Sequence, residues 1–358
     1  MRNYNFKIPL IVSLMQLLST FNAYGQNDNP PNKIKDFYFT KPEKGFTYEN
    51  IEFSERGCKL SHNSSNGLIV TSKVKVPWRK VSPFLAFSCG AFVENISMDS
   101  FKVFIRIFSK GENWSDWSEL KSGSEIELSR TSFTSELQYF NKETKFIQIK
   151  IELQGNGDSK MLIKQLSLNF INPSIKLSQR EAESNKVIDL SSTNSVCPCP
   201  LPPYSTRSSW GAPSGPTCSP NPSTTVSHLI VHHQGQSGSI SAPFANDVYS
   251  IYIYHISPLP SGNGWCDIGY NWLIDPNGQL YEGRGGSISN NIIGAHFSCM
   301  NTGTMGVCLL NNFDTYTPQS NAISKLEELL AWKCCNAGIP PIGTAPHSAS
   351  GLTLNRIS

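Results

Sequence analysis

Apolar and polar residues alternate in several short runs between residues 37 and 170. The run that begins at Phe101 puts Phe101, Val103 and Ile105 on one face, and the run 145–153 alternates more cleanly. A period of two is typical of strands with one buried face, and the Gly, Asn and Ser residues between the runs favour turns. The pattern predicts an N-terminal all-β sandwich.

The second half of the chain mixes strand and helix patterns. Short apolar runs predict strands at 228–233, 270–274, 279–282 and 305–310. Helical spacing of apolar residues predicts one helix over 247–255 and another that begins at Thr317-Pro318 and ends before Gly338. Strands that alternate with helices indicate an α/β domain with a mixed central sheet.

A chain of 358 residues is long for one compact domain, so two domains are expected. Composition changes after Asn172 to Ser, Asn, Glu and Lys and then to Cys-Pro-Cys-Pro, which is typical of a linker. The predicted organisation is therefore a β-sandwich over 30–172, a linker over 173–203 and the α/β domain over 204–358.

The N-terminus has the pattern of a secretory signal peptide over 1–25. Arg2 and Lys7 precede a mostly apolar run over 8–18, and small residues Ala23 and Gly25 follow. No later segment reaches the roughly 20 apolar residues that a membrane helix needs, so no transmembrane segment is expected. The mature protein is expected to be secreted or periplasmic.

Net charge and cysteine content indicate which partners and which cellular compartment to expect for this protein. The balance of 30 basic and 27 acidic residues gives +3, with no basic run beside aromatic residues, so no nucleic-acid partner is expected. Ten cysteines fit disulfides in an oxidising compartment. Cys58 and Cys89 could bridge each other, and the close pairs 197/199 and 334/335 are expected to reach separate partners. A four-thiolate zinc site is the weaker alternative, because no pair has the two-residue gap of zinc knuckles.

Polar blocks rich in glycine are concentrated between residues 226 and 313. Most of them place a hydrogen-bonding or metal-capable side chain beside a glycine, which allows a ligand to approach the backbone closely. The blocks are His232-His233, Gly264 to Asn271, Tyr281 to Gly285, Gly294-Ala295-His296 and Asn311-Asn312-Phe313. In this order they resemble the peptidoglycan recognition protein and type 2 N-acetylmuramoyl-L-alanine amidase family. The resemblance covers about 207–317.

The histidine doublet can be interpreted from its chemistry alone. Adjacent side chains of a strand point to opposite faces, so only one of His232 and His233 is expected to enter a given site. An imidazole at the end of a buried strand is a good zinc ligand, although a single buried histidine is more often structural.

The resemblance implies specific roles for these residues. His232 matches the first zinc ligand of the family, and Tyr270 matches a tyrosine of its active site. His255 and His296 match histidines of the ligand groove, and we also assign His233 to substrate binding. Arg284 is expected to hold a turn. Asn311 stands where the family has a glycine, which leaves the tightness of that turn open.

Together, the alternating pattern and the resemblance predict an N-terminal all-β sandwich followed by an α/β amidase-like domain with a mixed central sheet. The implied activity is zinc-dependent hydrolysis of the bond between the lactyl group of N-acetylmuramic acid and L-alanine in peptidoglycan. Zinc would polarise the carbonyl and lower the pKa of its bound water to about 7. Tyr270 would orient that water or stabilise the oxyanion.

A catalytic zinc needs three protein ligands, and the family takes the other two from a C-terminal Gly-His-Arg-Asp block and a later cysteine. Neither is recognisable here, and we expect both to follow Ser358 in a longer protein. Three alternatives stay open: a non-catalytic peptidoglycan-binding module, substitute ligation by His347 with Cys334 or Cys335, and an exported adhesin or structural protein.

Overall fold

The computed structural model describes most of the chain after Pro30. The described residues are 31–77, 84–97, 99–123, 131–141, 143–155, 160–173, 187–188, 198–218, 222–288 and 291–358. The predicted signal peptide and most of the predicted linker lie outside them. Residues 31–358 form one compact unit. Among the helices of the described residues, none has the length and apolar composition required to cross a membrane.

The described residues of the first half form two antiparallel sheets. In chain order its strands are β1 (Asn32–Tyr38), β2 (Thr47–Glu49), β3 (Ile51–Ser54), β4 (Gly57–Leu60), β5 (Asn66–Val70), β6 (Val74–Lys75), β7 (Phe84–Glu94), β8 (Phe101–Ser109), β9 (Ser118–Glu119), β10 (Ser132–Thr134), β11 (Gln138–Asn141), β12 (Thr144–Gln154) and β13 (Leu162–Ile171). One sheet has the order β10-β7-β13-β4-β3, with β1 also on β13 and β11 also on β7. The other has the order β2-β5-β12-β8-β9, with β6 also on β12.

Both sheets contribute to one apolar core. Strand β12 of the second sheet buries Ile147, Ile149 and Ile151, and strand β13 of the first sheet buries Leu166 and Leu168 in the same cluster. The intervening residues of β12 are only half-buried, as the alternating pattern predicts. The strands predicted at 101–108 and 145–153 are confirmed.

In the part of the second half that the structure describes, a mixed sheet packs with three helices. Its elements are β14 (Val187–Ile188), β15 (Tyr204–Ser205), α1 (Arg207–Trp210), β16 (His228–His233), α2 (Ala245–Ile256), β17 (Trp272–Ile274), β18 (Leu280–Glu282), β19 (Thr304–Leu309), α3 (Ser320–Ala337), β20 (Thr344–Pro346) and β21 (Thr353–Asn355). The sheet order is β14-β15-β18-β17-β19-β16, with β16, β19 and β17 mutually parallel and β17 antiparallel to β18. The mixed sheet predicted for this half is confirmed.

Local turn and cap chemistry agrees with most of the predicted boundaries. Asp275 accepts hydrogen bonds from the backbone N–H groups of Asn277 and Gln279 at 2.9 Å, which closes the β17–β18 hairpin. Gly338 ends α3 with φ 65°, a left-handed conformation that favours glycine. Helix α3 begins later in the chain than predicted: its N-cap is Gln319 rather than Thr317.

Strand β7 is buried on both faces, which explains how the two halves pack. Its odd-numbered residues, such as Leu85 and Phe87, enter the core of the two sheets. Phe84 and Ala86 face the other way and join a second apolar cluster with Tyr249 and Tyr252 of α2. The halves therefore share a core in addition to being connected by the chain.

The cysteines correct one expectation. Cys218 and Cys266 form a disulfide, whereas Cys58 and Cys89 are both buried free thiols. Cys58 lies on β4 and Cys89 on β7, on opposite sides of β13. Two strand spacings of about 4.8 Å each place them beyond the roughly 7 Å that a disulfide can span. Burial raises the pKa of the Cys58 thiol to about 12.

Candidate ligand-binding cleft

A cavity of about 440 Å³ opens at the carboxyl end of β16. It lies where the family resemblance predicts the ligand groove, and all five predicted site residues line it. The lining residues are Gly123, Glu136, Leu137, His232, His233, Gln234, Gly235, Ile251, Tyr254, His255, Asn263, Tyr270, His296, Phe297 and Ser298. The structure therefore brings His232, His233, His255, Tyr270 and His296 together; their chemical roles remain predictions.

A chain of hydrogen bonds connects His232 to the sheet. Nε2 of His232 lies 3.0 Å from Nδ1 of His296, and Nε2 of His296 lies 3.4 Å from Oγ1 of Thr304. The Thr304 hydroxyl donates to the Asn301 carbonyl at 2.8 Å, so it accepts from His296. This assigns a proton to each Nε2 and leaves Nδ1 of His232 with a lone pair, as a metal or proton-donor partner requires.

Two glycines create the space for His296. A Cβ atom on Gly306 of β19 would overlap Cγ and Cδ2 of the imidazole, and one on Gly294 would overlap Cδ2. Asn301 accepts a 2.7 Å hydrogen bond from the His296 backbone N–H. Glycine is therefore required at position 294 for packing, because it lets the His296 ring approach the backbone closely.

Tyr270 lies between two histidines. Its ring centroid is 5.7 Å from that of His232 and 5.8 Å from that of His255. His255, at the end of α2, accepts a 3.1 Å hydrogen bond at Nδ1 from the Gly269 N–H and packs against Trp265 at 4.7 Å. The neutral His255 ring therefore carries its proton on Nε2.

Burial keeps three imidazoles of the cleft uncharged at neutral pH. Desolvation, with a smaller effect of His233, lowers the pKa of His232 to about 4. Desolvation and the positive charge of Arg284 lower the pKa of His255 to about 3. The pKa of His296 is also lowered to about 3, by burial first. Neutral rings donate and accept hydrogen bonds at once, which suits a polar uncharged ligand surface.

His232 and His233 both line the cavity, which corrects the expectation that only one of them would enter. Nδ1 of His233 accepts a 2.9 Å hydrogen bond from the Phe313 N–H, and the two rings stack. Asn311 adopts φ 118°, a conformation that favours glycine, so the turn is formed despite the substitution.

Arg284 lies behind the cleft and holds backbone. Its guanidinium donates to the Ile268 carbonyl at 3.1 Å, and its backbone N–H donates to the Tyr270 carbonyl at 2.8 Å. Arg207 forms a buried ion pair with Asp267 at 2.9 Å. These contacts fix the segment that carries Tyr270, in agreement with the turn-holding role predicted for Arg284.

Sequence reasoning did not identify the part of the cleft that comes from the first half of the chain. Gly123, Glu136 and Leu137 line the cavity although they belong to the segments around β10 and β11. No local pattern marks them, because their position depends on how β7 packs against α2. Ile251 could have been found, since it lies one helical turn before His255 on the same face of α2.

The described residues do not fit a three-ligand zinc site. They hold no group of three or more His, Cys, Asp or Glu side chains placed to share a metal ion. His347 is fully buried, with Nε2 2.7 Å from the Thr302 carbonyl and Nδ1 2.9 Å from Ser350 Oγ. Cys335 is disulfide-bonded, so it carries no thiolate. Substitute ligation by His347 with Cys334 or Cys335 therefore finds no support.

We expect the substitution Gly306→Ala to displace the His296 ring and break its hydrogen bond to His232. Overpacking of this kind costs about 1–3 kcal/mol of the free energy of unfolding. Chemical denaturation and NMR of the imidazole signals would measure both effects. Gly215→Ala is the control, because a Cβ there meets no atom within 4 Å. Unchanged His296 signals in Gly306→Ala would contradict the proposed ring placement.

The second half is thus an α/β domain with a histidine-lined cleft at the carboxyl end of β16. Comparison with known proteins agrees. Residues 222–354 match the family model described as N-acetylmuramoyl-L-alanine amidase. Peptidoglycan-recognition protein SC2 of Drosophila melanogaster is 35% identical over 126 residues, which are 35% of this chain and 64% of the relative.

Peptidoglycan recognition protein 1 of Bos taurus is 30% identical over 137 residues, or 38% of this chain and 67% of the relative. The crystal structure of Drosophila peptidoglycan recognition protein SD aligns with a TM-score of 0.33 and 26% identity over 39% of this chain and 78% of that one. The chain belongs to the peptidoglycan recognition protein and type 2 amidase family. It spans 64% of the length of the SC2 relatives.

Proposed function

We propose that the cleft binds a muropeptide, the sugar-peptide unit of peptidoglycan. The main observation in support is that His232, Tyr270 and His296 line one cavity with neutral polar groups. Uncharged donors and acceptors beside apolar side chains such as Ile251 suit a ligand of hydroxyl and amide groups. The relatives named as peptidoglycan-recognition proteins support the same ligand.

Zinc-dependent amide hydrolysis is the second candidate function, favoured by His232 and Tyr270 in one cleft. Zinc, when bound, would supply Lewis-acid activation of the carbonyl and of water. His232 could contribute its Nδ1 lone pair, and the Tyr270 phenol could donate to a developing oxyanion. Within the described ranges, no two other side chains are placed to bind a zinc ion together with His232. We therefore derive no step through the metal.

We further propose that the two sheets of the first half act as a β-sandwich accessory domain over 30–172, joined by the linker 173–203 to the domain 204–358. Their shared apolar core supports the sandwich. Export to a secreted or periplasmic location is proposed from the signal-peptide pattern over 1–25 and from the Cys218–Cys266 disulfide.

The binding function is tested by co-sedimentation of the purified chain with insoluble peptidoglycan. We expect the wild-type chain to sediment and Ser298→Trp, which puts an indole at the exposed edge of the cavity, to bind about tenfold more weakly, since a steric clash costs about 1–3 kcal/mol. Ser320→Trp, at the exposed start of α3, is the matched control. A wild-type chain that stays in solution would reject the proposal and favour an adhesin or structural protein.

The same preparation decides between binding and hydrolysis. We expect the chain from Gln26 to Ser358 to hold zinc weakly and to hydrolyse muropeptide poorly, because a catalytic zinc needs three protein ligands. Metal analysis after dialysis and detection of the released stem peptide measure the two properties. Stoichiometric tight zinc together with amide cleavage would show that the second candidate function is correct.

A further inference from the structure

One wall of the cleft belongs to the first half of the chain. Glu136 and Leu137 follow β10, and Gly123 lies beside them. Across the cavity stand His232, His233 and the other residues of the second half. A ligand that fills the cavity therefore contacts both halves.

Backbone hydrogen bonds hold this wall in place. Gly123 donates to the Thr134 carbonyl and Glu136 donates to the Lys121 carbonyl, both at 2.9 Å. The Tyr254 hydroxyl of α2 donates to the Ser135 carbonyl at 2.9 Å, directly before Glu136. Ser237 N–H donates to the Leu137 carbonyl at 3.2 Å on the other side. The two residues that flank Glu136, Ser135 and Leu137, thus each accept a hydrogen bond from a residue of the second half.

Glu136 is the one side chain of Asp, Glu, Lys or Arg type among the described residues that line the cavity. It is half-buried, and that burial raises the pKa of its carboxyl group; Lys121 acts in the opposite direction and Asp314 adds to the increase. Among the described residues, the lining therefore has one acidic residue opposed by histidines and amides, and no lysine or arginine. A ligand that brings a positive charge would complement it.

We propose that Glu136 is a specificity-determining residue that selects muropeptides whose peptide stem carries a free ammonium group. The proposal rests on the proposed function of the cleft. A charge-assisted hydrogen bond in a partly desolvated site is stronger than a neutral one. The first half of the chain then determines which peptidoglycan the second half binds, although the family motifs lie entirely in the second half.

The test compares two muramyl tripeptides that end in lysine, one with a free side-chain amine and one with that amine acetylated. Calorimetry with the full mature chain is expected to show about tenfold tighter binding of the free amine. In Glu136→Gln we expect this preference to fall to about twofold or less, with binding of the acetylated ligand unchanged. Glu119→Gln, at an exposed position of β9, should keep the wild-type preference.

The outcomes separate this inference from the function on which it rests. Equal binding of both ligands by the wild-type chain would overturn the role of Glu136 and leave muropeptide binding intact. A preference for the free amine that persists in Glu136→Gln would also overturn the role of Glu136 and leave muropeptide binding intact. If the wild-type chain binds neither tripeptide, the proposed function fails and this inference fails with it.

Discussion

The substitution Arg207→Met is expected to lower the free energy of unfolding by about 3–5 kcal/mol. Arg207 and Asp267 are 2% and 0% exposed, and their ion pair has a length of 2.9 Å. The same guanidinium donates to the Pro213 carbonyl at 2.7 Å and to the Gly283 carbonyl. Methionine fills similar volume but leaves a buried carboxylate and two carbonyl groups without these donors, which is the costly case.

Arg56→Met provides the matched control for this experiment. Arg56 also forms an ion pair, with Glu94 at 2.8 Å, but its side chain is 73% exposed. Exposed pairs contribute about 0–1 kcal/mol. Urea denaturation of both variants measures the difference. Similar losses in the two variants would show that Arg207 is not the buried anchor that the structure indicates, and Arg284 would then be the cation that balances Asp267.

The elements that carry the cleft could be predicted from local sequence patterns. The strand 228–233 was predicted from its apolar run, and β16 has those bounds. The turn residues Asp275-Pro276-Asn277-Gly278 between the predicted strands 270–274 and 279–282 favour a hairpin, and the Asp275 hydrogen bonds confirm it. These features succeed because their cause is local: periodicity selects the strand, and Asx turns close the hairpin.

Other features depend on packing between distant segments and have no local signal. The sequence allows a pairing of Cys58 with Cys89, but strand β13 lies between the two strands that carry them. Both histidines of the doublet line the cavity, which the alternation of a strand does not predict. Glu136 joins the cleft only because one face of β7 packs against the second half. The sequence motifs therefore identify the wall of the cleft that belongs to the second half, but not the wall that belongs to the first half.

Gly90→Val is expected to disturb the packing of the two halves. Gly90 lies on the face of β7 that meets the second half, and a Cβ atom there would overlap the Pro260 carbonyl group and lie 2.8 Å from the Ser261 nitrogen. Backbone atoms cannot rotate away as side chains do. We expect a loss of about 3 kcal/mol in the free energy of unfolding, at the upper end of the range for overpacked cores.

The consequence of Gly90→Val should extend to the cleft. Thr134 donates to the Pro260 carbonyl at 2.7 Å, and Glu136 follows two residues later. A shift of β7 against Pro260 would therefore move the acidic wall while leaving His232 and Tyr270 in place. Gly215→Val, where a Cβ meets no atom within 4 Å, is the control. We expect Gly90→Val alone to lose the preference for a free amine while it still sediments with peptidoglycan; full retention of both stability and preference would refute the shared core of the two halves.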